Sequence, residues 1–515
     1  MGLDVALGVS ITGLRAVTEQ LRVVSNNIAN AEVEGFTAKR QQLRSVVADG
    51  RGTGVATGLV ARATEPMLQR AIWSREAGLA AAEVRVELLG SIEALHGAPE
   101  DGASLGGLLG RLRDAFVGLD AAPNSPAQQV AVVDAARTLA AKLNQLAEAV
   151  TEARTRAQSL IAEGADEANR LLAEAGDLTR EIVRLKVDGR GVADLEDRRD
   201  RIIGRLSALL DLRVLLREDG SMLALTATGR AVPLERDAFS FTPAPLSPGS
   251  VYEPGSGSVA ALLLRDGTVG GRSVDITRGH VGGRIGGLLE LRDTILPTMQ
   301  AELDELAHKL ALRFDQQGLR LFSDPAGQVP SEGQGIVQAG YVGFANVIRV
   351  NATVAAEPRL VRDGTHSVSF PFEPFYFEPN PSGGPAAFDT LVKRVLDFTF
   401  GTALGRGVAH DPPFRMLGLG PRGTLDSPLA TTGTLQDFAA SLVAGQTGRL
   451  AAAQADLSDQ RTTRDLLVNR YADTVGVNLD NEMALLVQLQ NAYTANARVM
   501  AAAQAMWDAL LASVR

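Results

Sequence analysis

Leu7, Leu14, Leu21 and Ile28 fall seven residues apart, with Ile11, Thr18 and Ser25 between them at alternating steps of four and three. That is the a/d pattern of a helix packed along one seam, sustained for roughly 22 residues or about 33 Å at ~1.5 Å per residue. The other end of the 515-residue chain repeats it. Leu479, Leu486, Tyr493, Met500, Trp507 and Val514 are seven apart, and Met483, Gln490, Ala497, Gln504 and Leu511 fill the intermediate row. Two long helices at opposite ends of one chain, each needing a partner, predict termini that come together with everything else folded between them.

A solvated coiled-coil hairpin would carry Glu and Lys outside such a seam. Here the last helix has only Arg498, Asp508 and Arg515 after Glu482, and the first has Asp4, Arg15, Glu19 and Arg22. An apolar seam with an uncharged, alanine- and amide-rich outer face is expected to touch protein all round, which points to a subunit of a polymer or bundle. Left alone, such helices expose a large apolar patch, so residues 1–31 and 479–515 are expected to be largely unfolded in a free subunit and to fold on assembly.

The first helix ends in SNNIANAEVEGF, Ser25 to Phe36. Asn26, Asn27 and Asn30 weaken helix propensity there, while their amides can satisfy orphan carbonyls or reach a neighbour. Gly35 permits a turn that other residues resist, and Phe36 can anchor the extended segment that follows. The stretch reads as a packed helix terminus, not a catalytic loop.

Composition excludes several chemistries. There is no cysteine, hence no disulfide, thiolate metal site or thiol nucleophile. His96, His280, His308, His366 and His410 show no metal-ligand spacing. A net charge of −9 without a basic, aromatic-interleaved run argues against nucleic acid as a partner. The N-terminus lacks a basic n-region and carries Asp4, so it does not resemble a cleaved secretory signal, and no apolar run approaches the ~20 residues that span a bilayer. No cofactor is expected.

The ends are also recognisable. GLRAVTEQLRVVSNNIANAEVEGFTAKR (Gly13 to Arg40) resembles the N-terminal signature of the bacterial flagellar rod, hook and hook-associated axial proteins. GVNLDNEMALLVQLQNAYTANARVMAAAQAMWDALL (Gly476 to Leu511) resembles their C-terminal signature. In the interior, Asp194 to Leu225 and Gly282 to Gln317 resemble the helical segments of the hook-associated branch that joins hook to filament. Gly35-Phe36 followed by Thr37-Ala38 follows the hook-protein habit instead. The resemblance implies a structural, non-enzymatic subunit outside the cell, exported without a cleaved signal. It would self-associate in a ring or helical turn, contact the hook protein and a second junction protein, and bind a cytoplasmic export chaperone through its C-terminal helix. Membrane insertion is not implied.

Between the ends, helical periodicity runs from about Arg70, with a Ser125 cap and Pro126 opening long antiparallel-capable helices to about Lys186. Residues 35–65 read as an extended connector, Asp219-Gly220 as a hairpin turn, and 286–318 and 434–473 as helix again. The expected fold is α+β and multidomain. Paired terminal coiled-coil helices (1–34, 476–515) form an inner assembly domain. A helical-bundle intermediate domain (35–234, 280–325, 434–475) follows, with an inserted β-rich outer domain (235–279, 326–433).

Two stretches mimic chemistry. Gly279, Gly282, Gly283, Gly286 and Gly287 fit neither GxGxxG nor GxxxxGK[ST], and read better as a hinge into the 286–318 helix. Asp194, Glu196, Asp197 and Asp200 alternate with Arg198, Arg199, Arg201 and Arg205, which reads as intrahelical ion pairing. A hook or rod protein is the nearest alternative, although the hook protein is β-dominated outside its ends. A signalling or chaperone-like coiled coil would require charged, solvated terminal helices.

Overall fold

The structure, a computed structural model, describes residues 3–33, 35–48, 51–97, 102–265, 272–279, 281–410 and 414–513. Val514, Arg515 and His280 lie outside the described residues. Helix α1 (Leu3–Ala29) leads into an antiparallel hairpin of β1 (Lys39–Ala48) and β2 (Arg51–Arg62), so the extended connector doubles back on itself. Four helices follow: α2 (Pro66–His96), α3 (Leu105–Ala121), α4 (Pro126–Val187) and α5 (Ala193–Leu209). Pro66 and Pro126 sit in first turns, where a missing N–H costs nothing. The Ser104 and Ser125 hydroxyls accept from the amides of Gly107 (3.2 Å) and Gln128 (3.4 Å).

The span 126–187, expected as several helices, is one helix of 62 residues, about 93 Å long at ~1.5 Å per residue. Its glycines are docking points rather than breaks. A Cβ on Gly164 would lie 3.0 Å from Ile285 Cγ1, and one on Gly176 would lie 2.5 Å from the Leu234 carbonyl oxygen. Packing against those neighbours outweighs the ~1 kcal/mol that each interior glycine costs the helix.

The Asp219-Gly220 turn joins β3 (Leu212–Leu216) to β4 (Met222–Thr226), and β5 (Ala231–Val232) completes that sheet. A second small antiparallel sheet holds β6 (Phe239–Ser240), β7 (Leu263–Arg265) and β8 (Ser273–Asp275). Then α6 (Gly283–Glu290) runs through a π turn (Leu291–Ile295) into α7 (Leu296–Asp315). Pro297, unable to donate to a carbonyl one turn back, explains the irregularity just before it. The glycine cluster is structural: Gly283 has φ +65°, and its Cβ would lie 2.6 Å from the Leu209 carbonyl carbon, so α6 starts hard against the end of α5.

Residues 326–433, expected as a β-rich outer portion, depart most from the sequence-based picture. The strands that follow α7 have two or three residues each: β9 (Phe322–Ser323), β10 (Arg349–Val350), β11 (Val368–Ser369), β12 (Tyr376–Phe377), β13 (Ala403–Gly405) and β14 (Val408–Ala409). Short helices α8 (Phe344–Val347), α9 (Ala352–Ala356), α10 (Leu360–Asp363) and α11 (Thr390–Arg394) are interspersed. The segment wraps α7, whose 20 residues are buried on every face but two positions. Buried charges on α7 dictate that wrapping, because each must find a partner. Asp304 accepts from the amides of Gly343 (2.7 Å) and Ala345 (2.9 Å). Glu305 accepts from Tyr341 Oη (2.6 Å) and the Arg415 amide (2.7 Å). Glu302 takes the Ser427 hydroxyl (2.6 Å) and Arg449 Nη1 (2.9 Å).

Two long helices close the chain: α12 (Leu435–Val475), opened by a Thr434/Asp437 capping box, and α13 (Leu479–Ser513). One continuous apolar core runs from Trp73 to Ala453 and includes Phe239, Leu264, Phe344 and Phe414. The segments expected as a separate outer domain therefore share the core of the helical body. Phe314 of α7 centres it, with ring centroids 5.7 Å from Phe116, 5.6 Å from Phe322 and 5.7 Å from Phe400.

His308 of α7 stacks on Tyr341 at 3.9 Å, and burial, aided by Lys309, pushes its pKa down from 6.5 to about 4. Between those pH values the unfolded chain binds a proton that the native chain refuses, so acid destabilises the fold. His308→Phe should reduce the stability lost from pH 7 to pH 4.5 by up to roughly 3 kcal/mol, read from urea midpoints at the two pH values. Burial raises the Asp304 and Glu305 carboxyls, an effect of opposite sign that both proteins share.

Candidate assembly site

Helices α1 and α13 pair antiparallel. Gly13 lies against Asn496, where a Cβ would sit 3.2 Å from Oδ1, and Val17, Leu21, Val24 and Ile28 cluster with Leu486, Leu489 and Ala492. Helix α1 keeps one expected row and exchanges the other, whereas α13 keeps only Leu486 and Met500 of its first row and Ala497 of its second. On α1 the row Leu7, Leu14, Leu21, Ile28 is half-buried, but its partner row is Ser10, Val17, Val24, all buried. Of the row expected there, Ile11 is half-buried, and Thr18 and Ser25 are exposed. On α13, Leu486 and Met500 are half-buried, beside Leu489, Asn496 and Ala503. The stiff valines fill the seam better than Thr18 and Ser25, and Gly13 with Ala503 lets the helices approach.

The remaining face of α1 is covered too. Thr12 Oγ1 accepts from the Val55 amide at 3.3 Å, and Ala16 and Val23, on the same helical face, are buried. The β1–β2 hairpin lies there.

Helix α13 has no such cover. Leu479, Met483, Gln490, Tyr493, Trp507 and Leu511 are exposed, with Tyr493 46%, Trp507 43% and Leu511 53% accessible, while Ala497 is half-buried. Pairing residue for residue from Gly13 opposite Asn496 puts Leu3 opposite Met506, so Trp507 and Leu511 outrun α1. Val499, Met506 and Leu510 extend the same apolar exposure. Apolar side chains gathered in the open along one helix mark an interaction surface.

The asparagine stretch is a clasp. Asn27 is buried, with Nδ2 donating to the Lys39 carbonyl (2.9 Å) and Oδ1 accepting the Lys39 amide (3.0 Å). Its amide thus fixes the strand leaving the helix. Asn30 Nδ2 donates to the Asn26 carbonyl (2.8 Å) and to Asn26 Oδ1 (3.0 Å), closing the last turn. Gly35 has φ +72°, and Phe36 is half-buried beneath Lys39 Nζ, 3.5 Å from its ring centroid.

Beyond the clasp lies a buried ionic joint that corrects the expected intrahelical pairing on α5. Asp197 accepts from Thr37 Oγ1 (2.8 Å), Lys39 Nζ (2.8 Å) and Arg62 Nη1 (3.1 Å). Asp200 takes Arg62 Nη1 (2.6 Å) and Gln69 Nε2 (2.8 Å), Glu196 takes Arg62 Nε (3.2 Å), and Asp194 takes Lys39 Nζ (3.1 Å). Arg198 and Arg205 instead reach Glu174 and Glu167 on α4. The acidic face of α5 points at the hairpin because Lys39 and Arg62 are buried there and demand it. Burial alone would lower the Arg62 pKa, but Asp200, Glu196 and Asp197 raise it overall. Burial and nearby Asp200 push Tyr471 up to about 12. The Ala38 amide donates to the Val475 carbonyl (2.8 Å), so the joint also holds the α12–α13 turn.

Comparison with known proteins finds flagellar relatives for each part of this arrangement. Residues 89–327 match the model described as the flagellar hook-associated protein FlgK helical domain, residues 7–37 the flagella basal body rod protein model, and residues 469–513 the flagellar basal body rod FlgEFG protein C-terminal model. The chain is thus similar to flagellar hook-associated proteins in its helical body and to flagellar rod proteins at both ends. Flagellar hook-associated protein 1 of Escherichia coli (strain K12) is 24% identical over 98% of both chains, and that of Salmonella typhimurium 22% over 98% of both. A solved structure, the flagellar hook junction protein FlgK from Burkholderia pseudomallei, aligns with a TM-score of 0.42 at 19% identity, over 51% of this chain and 45% of that one. Among the described residues, no helix is long and apolar enough to cross a membrane, and no group of three or more His, Asp or Glu side chains could hold a metal ion.

Proposed function

We propose that this chain is a structural subunit of the bacterial flagellum, standing where hook meets filament, and that packing of its terminal helices carries the role. The bare apolar face of α13 is the observation that supports it. A helix paired on one side and exposing Leu479, Met483, Tyr493, Trp507 and Leu511 on others is built to be covered by further subunits. The joint at Asp197 supports transmission of orientation from the terminal pair to the helical body. Self-association in a ring or helical turn, contacts with hook protein and a second junction protein, and capture of α13 by an export chaperone follow from this role. So does export without a cleaved signal. The function is mechanical, with no catalytic step.

Deleting the gene should leave cells with hooks but without attached filaments, with filament protein shed into the medium, and the wild-type gene should restore filaments. A hook or rod protein would instead be needed for the hook itself, so loss of hooks would transfer the chain to that branch. In the free subunit, amides of α13 should exchange far faster than those of α4 and α7, because only Leu489 and Ala503 of α13 are buried. Strong protection of both terminal helices in a dilute monomer would contradict folding on assembly.

A further inference from the structure

A groove of about 740 Å³ opens beside the joint, between β2, the α4–α5 turn and β3. Its lining carries six cationic side chains against two carboxylates, in a chain whose net charge is −9. Some of those cations are spoken for: Arg62 lies in the joint, and Lys186 pairs with Glu196 at 2.9 Å. Arg190 and Arg217 are exposed and make no ion pair among the described residues, although Arg217 lies near enough to Asp219 to help Ser221 hold its carboxyl below the usual range. Arg199, 2% exposed, donates through Nη1 to the Gly220 carbonyl (2.6 Å) and leaves its Nε without a partner. Leu59, Leu215 and Leu216 line the same groove and are 48%, 47% and 38% exposed. The joint uses only Arg62, Gln69 and Glu196 of this lining, and Arg190, Arg217 and the leucines are left over from it. Its chemistry fits a short segment with a carboxylate between aliphatic side chains.

The chain holds such a segment itself. The first turns of α13, Leu479-Asp480-Asn481-Glu482-Met483, expose Leu479 (44%) and Met483 (52%), and Asp480 is exposed without a cationic partner among the described residues. This turn sits at the level of the groove, because Val475, just before it, is bonded to Ala38, and Arg62, a groove residue, shares Asp197 with Lys39. Copies related by rotation about an axis meet at equal heights, through a contact between different patches.

We infer that the groove of one subunit receives the first turns of α13 of a second copy, with Asp480 against Arg190 and Arg217, and Leu479 and Met483 against Leu215 and Leu216. This rests on the proposed self-association and adds a surface and a direction to it. The contact is head-to-tail, so it propagates around a ring, where a two-fold contact would stop at a dimer.

The absence of cysteine makes the test clean. Leu216→Cys and Leu479→Cys, introduced together in the full-length protein, should give a ladder of covalent multimers beyond the dimer when isolated flagella are treated with a short bismaleimide. Each single variant should give none. Monomers only, on flagella that carry filaments, would overturn the groove contact while leaving the junction role intact. An adduct with the mass of a different flagellar protein would overturn the choice of partner. If the double-cysteine chain fails to restore filaments, charge exchange decides. Arg190→Glu with Arg217→Glu should lose filaments and Asp480→Lys should recover them; failure of recovery would count against the contact. The junction role fails separately, if cells lacking the gene keep their filaments.

Discussion

Asp197→Ala is expected to destabilise the junction between the terminal helices and the helical body by about 3 kcal/mol, the cost of leaving buried cations short of a partner. Lys39 and Arg62 would remain buried, with Lys39 holding only the exposed Asp194 and Arg62 holding Asp200 and Glu196. Thr37 would lose its acceptor as well. The first visible consequence should be accelerated proteolysis at Lys39 and Arg40 under native conditions, ahead of any cleavage in α4. Asp197→Leu combined with Lys39→Met should recover much of the loss, because replacing a buried ion pair by apolar groups is often nearly neutral. Equal damage from the single and double variants, in urea midpoint and in cleavage rate, would show that the joint is not what couples the two parts.

The second large effect separates the two faces of α13. Tyr493→Ala with Trp507→Ala should leave the thermal midpoint of the isolated subunit almost unchanged, since both side chains are more than 40% exposed and exposed positions usually shift stability by less than ~0.5 kcal/mol. In assembly the same pair should behave as interface anchors, each worth about 2 kcal/mol or more. Together that weakens the contact by roughly a thousandfold. Leu489→Ala should act differently, loosening α13 from α1 within the folded subunit because Leu489 is 6% exposed and central to that cluster. Destabilisation of the monomer by the aromatic pair would mean that their face already has an intrachain partner.

The contrast also shows what could be read from the sequence. The seven-residue repeats located both terminal helices and one row on α1, but periodicity cannot choose between two adjacent rows of similar spacing. Ser10, Val17 and Val24 recur every seven residues as do Ile11, Thr18 and Ser25. The β-branched pair at 17 and 24 was the available signal for the row that is buried. Asn27 was recognisable as an amide out of place in a helix, whereas its partner, the backbone of Lys39, carries no sequence mark. The acidic run on α5 was visible too, yet its pairing with Lys39 and Arg62 spans more than 130 residues, beyond the reach of local spacing rules. Residues 326–433 misled for a different reason. Short β-branched runs among glycines and prolines suit strands and wrapping loops alike, and only the buried charges of α7 demanded the wrapping. Glu302, Asp304 and Glu305, three carboxylates within four residues of a helix that also carries a dense apolar row, were the hint.

The central claim, that the exposed face of α13 joins this subunit into the flagellum, is tested most directly by complementation. Cells lacking the gene would receive the wild-type chain or the Tyr493→Ala, Trp507→Ala chain, and attached filaments would be counted by electron microscopy with export of the subunit followed in the medium. The account predicts filaments with the wild type, and with the variant hooks bearing no filament while the subunit is still exported. Wild-type numbers of filaments with the variant would contradict it.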